Sequence, residues 1–84
     1  MKRIIHILVG KRSKTAQELQ KVLTEYGCII KTRLGLHETH PEKCTEVGLV
    51  ILELSGERKD ALGLERKLKR IPDIKTKLVE LSLD

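Results

Sequence analysis

His37, His40 and Cys44 put three metal-ligating side chains within eight positions. Imidazole and thiolate suit zinc, nickel, copper or iron, so a transition metal is the cofactor this segment would hold. The spacing H-x2-H-x3-C matches no standard zinc module, and no fourth ligand is evident in the chain. A neighbouring subunit would have to supply one, for example through His6. A solvated hairpin loop without a ligand accounts for the same residues, and the identity of any cofactor stays open. The second candidate is Gly10, Lys11, Arg12 and Ser13. Amides at a helix N-terminus beside these cations suit the carboxylate or phosphate of a small-molecule ligand. Neither G-x4-G-K-[ST] nor G-x-G-x-x-G is present, so no nucleotide motif backs the site, and solvated surface is the plainer reading. No Ser or Cys stands in a nucleophile motif, and the loop histidines have only Glu38 and Glu42 near them. The chain therefore reads as a non-enzyme.

The elements that would position these residues follow from spacing. Ile4 to Val9 is a β-branched run ended by Gly10, a first strand. Ser13 offers a helix N-cap, Ala16, Leu19, Val22, Leu23 and Tyr26 follow at helical spacing, and Gly27 stands where a left-handed C-cap belongs. Cys28 to Leu36 reads as a strand, with Cys28 a small buried apolar residue, too far from Cys44 to form a disulfide. His37 to Glu46 reads as a polar loop and Val47 to Leu54 as the strongest strand. After Ser55-Gly56, Ala61, Leu64, Leu68 and Ile71 mark a second helix, which Pro72-Asp73 stops before a last strand from Ile74 to Leu81. The order β-α-β-β-α-β predicts an α+β ferredoxin-like sandwich: a four-stranded antiparallel sheet with two helices on one face. Right-handed crossovers place the first and third strands in the centre.

Such a sheet should alternate apolar and polar residues. The central strands do not. Ile4, His6 and Leu8 oppose Ile5, Ile7 and Val9, while Leu49 and Ile51 oppose Val50, Leu52 and Leu54. Lys31 and Arg33 on one edge, and Lys75 and Lys77 on the other, suggest basic rims around an apolar centre. The expected interface comprises Ile4, His6, Leu8, Val50 and Leu52, covered by self-association into a dimer or tetramer.

Composition narrows the function classes. The 84 residues make one domain, 1–84. Charged residues are 35% of the chain, Trp and Phe are absent, and Tyr26 is the only aromatic. That removes the aromatic platform on which single-stranded nucleic acids stack, and the aromatic belt of membrane proteins. The net charge of +5 invites nucleic acid. The densest basic run, Arg66, Lys67, Lys69 and Arg70, nonetheless has Glu65 placed to pair with Lys69, and no helix-turn-helix pattern accompanies it. Nucleic acid is not an expected partner for this chain alone. No signal-peptide or membrane-span pattern is present, so no membrane partner and a cytoplasmic location are expected.

Several runs together resemble a known family. They are Lys2-Arg3-Ile4-Ile5-His6-Ile7-Leu8-Val9, Thr32-Arg33-Leu34-Gly35-Leu36-His37-Glu38, and Gly48 to Leu54 with Gly56. Leu64-Glu65-x-Lys67-Leu68-x-x-Ile71 and Ile74-Lys75-x-Lys77 complete the set. They resemble a small bacterial family labelled iron-only hydrogenase system regulator, with an ACT-like fold similar to the C-terminal domain of the nickel-responsive repressor. The resemblance implies a stand-alone sensing or oligomerisation module. Those repressors hold metal with an H-x-H pair, a later cysteine and a neighbouring subunit's histidine, which implies Cys44 in the cysteine's role and His37 and His40 near the pair. The repressors' DNA-binding arm has no counterpart here, so a transcriptional role implies a partner protein. ACT modules hold small ligands, often amino acids, at the junction that here is Gly10 to Ser13.

Overall fold

The computed structural model describes the backbone of residues 1–10, 13–39 and 44–84, with side chains except at 13, 36–39 and 44–47. β1 (Lys2–Val9) lies between β3 (Cys44–Leu54) and β4 (Ile74–Leu81), antiparallel to both, and β2 (Ile30–Thr39) pairs antiparallel with β3. The strand order is β2-β3-β1-β4. Helices α1 (Ser13–Glu25) and α2 (Arg58–Leu68) connect β1 to β2 and β3 to β4. This is the expected βαββαβ ferredoxin-like, ACT-like arrangement. No helix among the described residues is long and apolar enough to cross a membrane.

The register fixes which side chains meet the helices. Ile5 stands opposite Leu52 and Leu78, and Ile7 opposite Val50 and Thr76. Cross-strand partners share a face, so Val50 and Leu52 point to the helices with Ile5 and Ile7. Ile5, Ile7, Leu52, Ala61, Leu64 and Leu68 are fully buried and, with Leu19, Leu23, Leu54 and Ile71, form the core. The expected placement of Val50 and Leu52 on the outer sheet face is therefore corrected. Strand period alone left the facing of β3 undecided, because both its faces are apolar.

Helix α1 turns Leu19 and Leu23 inward as its spacing predicts, but Ala16 is exposed and Thr15 is buried beside it. Gly27 does not take the left-handed conformation; it opens a single 3-10 turn, Gly27–Ile29, which leads straight into β2. Cys28 in that turn is exposed, not buried. The hairpin strands are longer than their polar sequence suggests, since β2 reaches Thr39, β3 begins at Cys44, and these two residues pair. Ladder hydrogen bonds hold polar residues in a strand without apolar alternation.

The two ends of the helical layer are tied to the sheet by specific contacts. After α2 the chain tightens, with Ile71 N–H donating to Leu68 O at 3.0 Å. Pro72 then removes a donor, and Asp73 adopts φ 64°, which ends the helical path. Gly10 N–H donates to Asp73 O at 2.9 Å, and the buried Thr15 hydroxyl donates to Pro72 O at 3.2 Å. A Cβ at Gly10 would overlap the Asp73 carboxylate, so this close approach requires glycine. Gly56, at φ 85°, turns the chain into α2, where Glu57 N–H donates to Asp60 Oδ2 at 3.0 Å. Between the helices, Tyr26 packs against Gly63, and Lys67 lies 5.6 Å from the Tyr26 ring centre while pairing with Glu25.

Glu80 bridges two arginines on the helix side: Arg3 Nε at 3.0 Å and Arg58 Nε at 3.1 Å. Hydrogen bonds from Arg58 and then Arg3 hold its carboxyl below the ordinary 4.5. The folded state thus binds this proton less tightly than the unfolded state. Its stabilising contribution is present above pH 4.5 and is lost as pH falls through the lower folded value. Glu80→Gln is expected to flatten the acid side of the stability–pH curve, measured by urea unfolding at stepped pH. Leu64→Ala, which empties the centre of the core, is expected to cost about 2–5 kcal/mol in the same assay.

Candidate functional site

The side of the sheet away from the helices carries the most chemistry that the fold leaves uncovered. Because side chains alternate, this face collects Lys2, Ile4, His6 and Leu8 from β1. The register adds Leu49, Ile51 and Glu53 from β3, Thr32 and Leu34 from β2, and Lys75, Lys77, Val79 and Leu81 from β4. Two cross-strand rows define its centre. One runs Leu34, Ile51, His6, Lys77; the next places Leu49 and Leu8 beside Lys75. Leu8, Leu34 and Leu81 are 49%, 50% and 57% exposed, values that belong to bare surface and not to a core margin. Ile4, Leu49, Ile51 and Val79 between them are half-buried by their neighbours alone.

Of the expected interface residues, Ile4, His6 and Leu8 lie on this face. Leu49 and Ile51 take the places assigned to Val50 and Leu52. The rims also differ from expectation. Arg33 stands opposite Leu52, on the helix side, and donates to Gln20 Oε1 of α1 at 2.9 Å. On β2 the described side chains of the uncovered face are Thr32 and Leu34, with Lys31 reaching only the Glu53 corner. Lys75 and Lys77 do form a basic column, on β4 alone. At one corner Glu53 accepts from Lys2 Nζ at 2.8 Å, with Lys31 Nζ at 4.0 Å and the Thr32 hydroxyl at 3.5 Å. The Lys2 hydrogen bond holds the Glu53 carboxyl below its ordinary range and, reciprocally, raises the Lys2 ammonium. Both lie at solvent, so this pair adds little stability.

The candidate metal residues lie on the β2–β3 hairpin. His37 is opposite Gly48 and Cys44 opposite Thr39, with a register shift between the two pairs. His40 lies outside the described residues, as do the side chains of His37 and Cys44. His6 is opposite Ile51, seven residues along β3 from Cys44. At about 3.3 Å per residue that is about 23 Å, so His6 could reach Cys44 only from another subunit. Among the described residues no three His, Cys, Asp or Glu side chains form a group that could hold a metal ion.

At the strand-to-helix junction, Lys11, Arg12 and the Ser13 side chain lie outside the described residues, while Gly10 is described. The Asp73 carboxylate lies directly over Gly10. Spacing could not reveal that neighbour, because Asp73 comes from the far side of the second crossover. On α2, Lys69 pairs with Glu65 at 3.8 Å as the i,i+4 spacing predicts, and Lys67 pairs with Glu25. Acids thus offset part of the densest basic run.

A β2-β3-β1-β4 sheet with two helices on one face and an apolar outer face defines a small ACT-like α+β module. The family model described as "TM1266-like: Iron-only hydrogenase system regulator, putative" matches residues 2–78, and the chain belongs to this family. The structure of uncharacterized protein TM1266 from Thermotoga maritima is similar, with a TM-score of 0.83 at 23% identity over 96% of each chain. A formyltetrahydrofolate deformylase from Pseudomonas putida KT2440 is similar at TM-score 0.57 and 12% identity. That match covers 96% of this chain but 29% of the deformylase. At these identities the two structures speak for the fold alone. None of the curated proteins compared matches the chain.

Cys28, exposed in its 3-10 turn, is expected to be alkylated by iodoacetamide in the native protein, as read by peptide mass spectrometry. Cys28→Ser is expected to change unfolding free energy by less than about 0.5 kcal/mol.

Proposed function

We propose that this chain is a non-enzymatic regulatory module of an iron-only hydrogenase system that works as a homo-oligomer, a dimer or tetramer, and senses a small-molecule ligand. The observation that carries the reading is the outer sheet face, on which Ile4, Leu8, Leu34, Leu49, Ile51, Val79 and Leu81 adjoin with no element over them among the described residues. Burying apolar area against a second copy is favourable at about 25 cal/mol per Å2, and a chain this small buries only about 60–65% of its unfolded surface by itself. Family membership supports the regulatory assignment. The sheet face is the surface on which an assembly can be built.

Ligand sensing rests on the β1–α1 junction. The junction is tightly built, with the Asp73 carboxylate packed directly against Gly10. A small molecule with a carboxylate, such as an amino acid, would set that group at the α1 N-terminus, where the helix dipole favours negative charge.

Light scattering on a sizing column at micromolar concentration should give a multiple of the chain mass; a stable monomer sinks the assembly reading. Leu8→Glu places a charge in the middle of the face and is expected to shift the protein to monomer with its far-UV circular dichroism unchanged. A thermal-shift screen of amino acids should find at least one that raises Tm by mass action, and the absence of any shift counts against the sensing role.

A further inference from the structure

Self-association through the outer face admits two aligned arrangements, and the charges on the face choose between them. Two sheets packed face to face lie about 10 Å apart with strand directions within about 30°. A closed dimer needs a two-fold axis between them. With the axis across the strands, each strand lies over its own copy, β4 on β4. With the axis along the strands, the order reverses, so that β4 lies over the partner's β2 and β1 over the partner's β3.

The face is chemically lopsided in that direction. β4 presents the exposed Lys75 and Lys77, whereas β2 presents the exposed Leu34 in the same row as Lys77. With the axis across the strands, any register that keeps the Leu8 and His6 rows in the overlap brings this lysine column against its copy. Like charges are then gathered at a desolvating surface, on a chain already at +5. The reversed order removes that conflict. Each Lys77 stem then lies along the partner's Leu34 with its ammonium at the rim, an arrangement suited to a long side chain with an apolar stem. At the centre, His6 meets the partner's Ile51 and Leu8 meets the partner's Leu49, so no imidazole faces its own copy and the two rows become self-complementary.

We infer that the partner on this face is a second copy of the chain, docked about a two-fold axis parallel to the strands with the β4 lysine column over the partner's β2. The inference rests on the assembly reading and specifies its geometry. The test uses a Cys28→Ser, Cys44→Ser background carrying Leu34→Cys, Lys77→Cys or both, treated with a bis-maleimide spanning about 10 Å. Positions 34 and 77 of one chain are three strand spacings apart, about 14 Å, beyond that reach. The double variant should give cross-linked dimer, an equimolar mixture of the two single variants should give heterodimer, and either single variant alone should stay uncross-linked. Cross-linking of Lys77→Cys to itself, or no cross-linking of the double variant while light scattering still shows a dimer, overturns the geometry and leaves the assembly reading standing. A monomer in light scattering for the unsubstituted protein removes both.

Discussion

One-sided cover is the constraint from which most of the structure follows. A strand sends alternate side chains to opposite faces, and both helices lie on the same side of the sheet. Ile5 and Ile7 of β1, set between β3 and β4, lie at the middle of that covered side and are fully buried. Their register with Leu52 and Val50 commits the other half of each strand to the outside. Where that half is charged, as at Lys75 and Lys77, solvent suffices. At Ile4, Leu8, Leu49 and Ile51 it is apolar, and the unpartnered fold is left with a surface that water disfavours.

The contacts around the core serve to keep this arrangement in place. A small chain has few buried residues, so each tie at the ends of the layers matters. The β1–α1 junction is fastened to the α2–β4 turn through Gly10, Thr15, Pro72 and Asp73. At the opposite end, Glu80 gathers Arg3 from β1 and Arg58 from α2, with Arg3 also donating to the Gly56 carbonyl at 3.3 Å. Both ties join segments distant in sequence, which a local helix or hairpin could not do. The single aromatic, Tyr26, is spent between the helices against Gly63 and Lys67, and contributes nothing to the sheet surface.

The chain belongs to a family described as iron-only hydrogenase system regulators, and its fold is ACT-like. On the reading proposed above, such a module acts by assembling or by changing its assembly on binding something small. The outer sheet face supplies the first possibility and the junction beneath Asp73 the second. The two surfaces share β1, whose outward residues line the face and whose end at Gly10 meets Asp73.

Periodicity and turn chemistry made the architecture legible. The runs Ile4 to Val9, Val47 to Leu54 and Ile74 to Leu81, with the spacing of Leu64, Leu68 and Ile71, determined the order of elements and the buried side of α2. The sequence also showed that both faces of the central strands are apolar. It could not say which set of β3 faces out, because Val50 and Leu52 are as apolar as Leu49 and Ile51. A one-residue change of facing is decided only by pairing with β1. Tertiary structure likewise moved Arg33 to the helix side, exposed Cys28 and brought Asp73 to Gly10. Sequence spacing records position along the chain. Register and the packing of distant turns decide position in space, and they set the shape and charge of the outer sheet face.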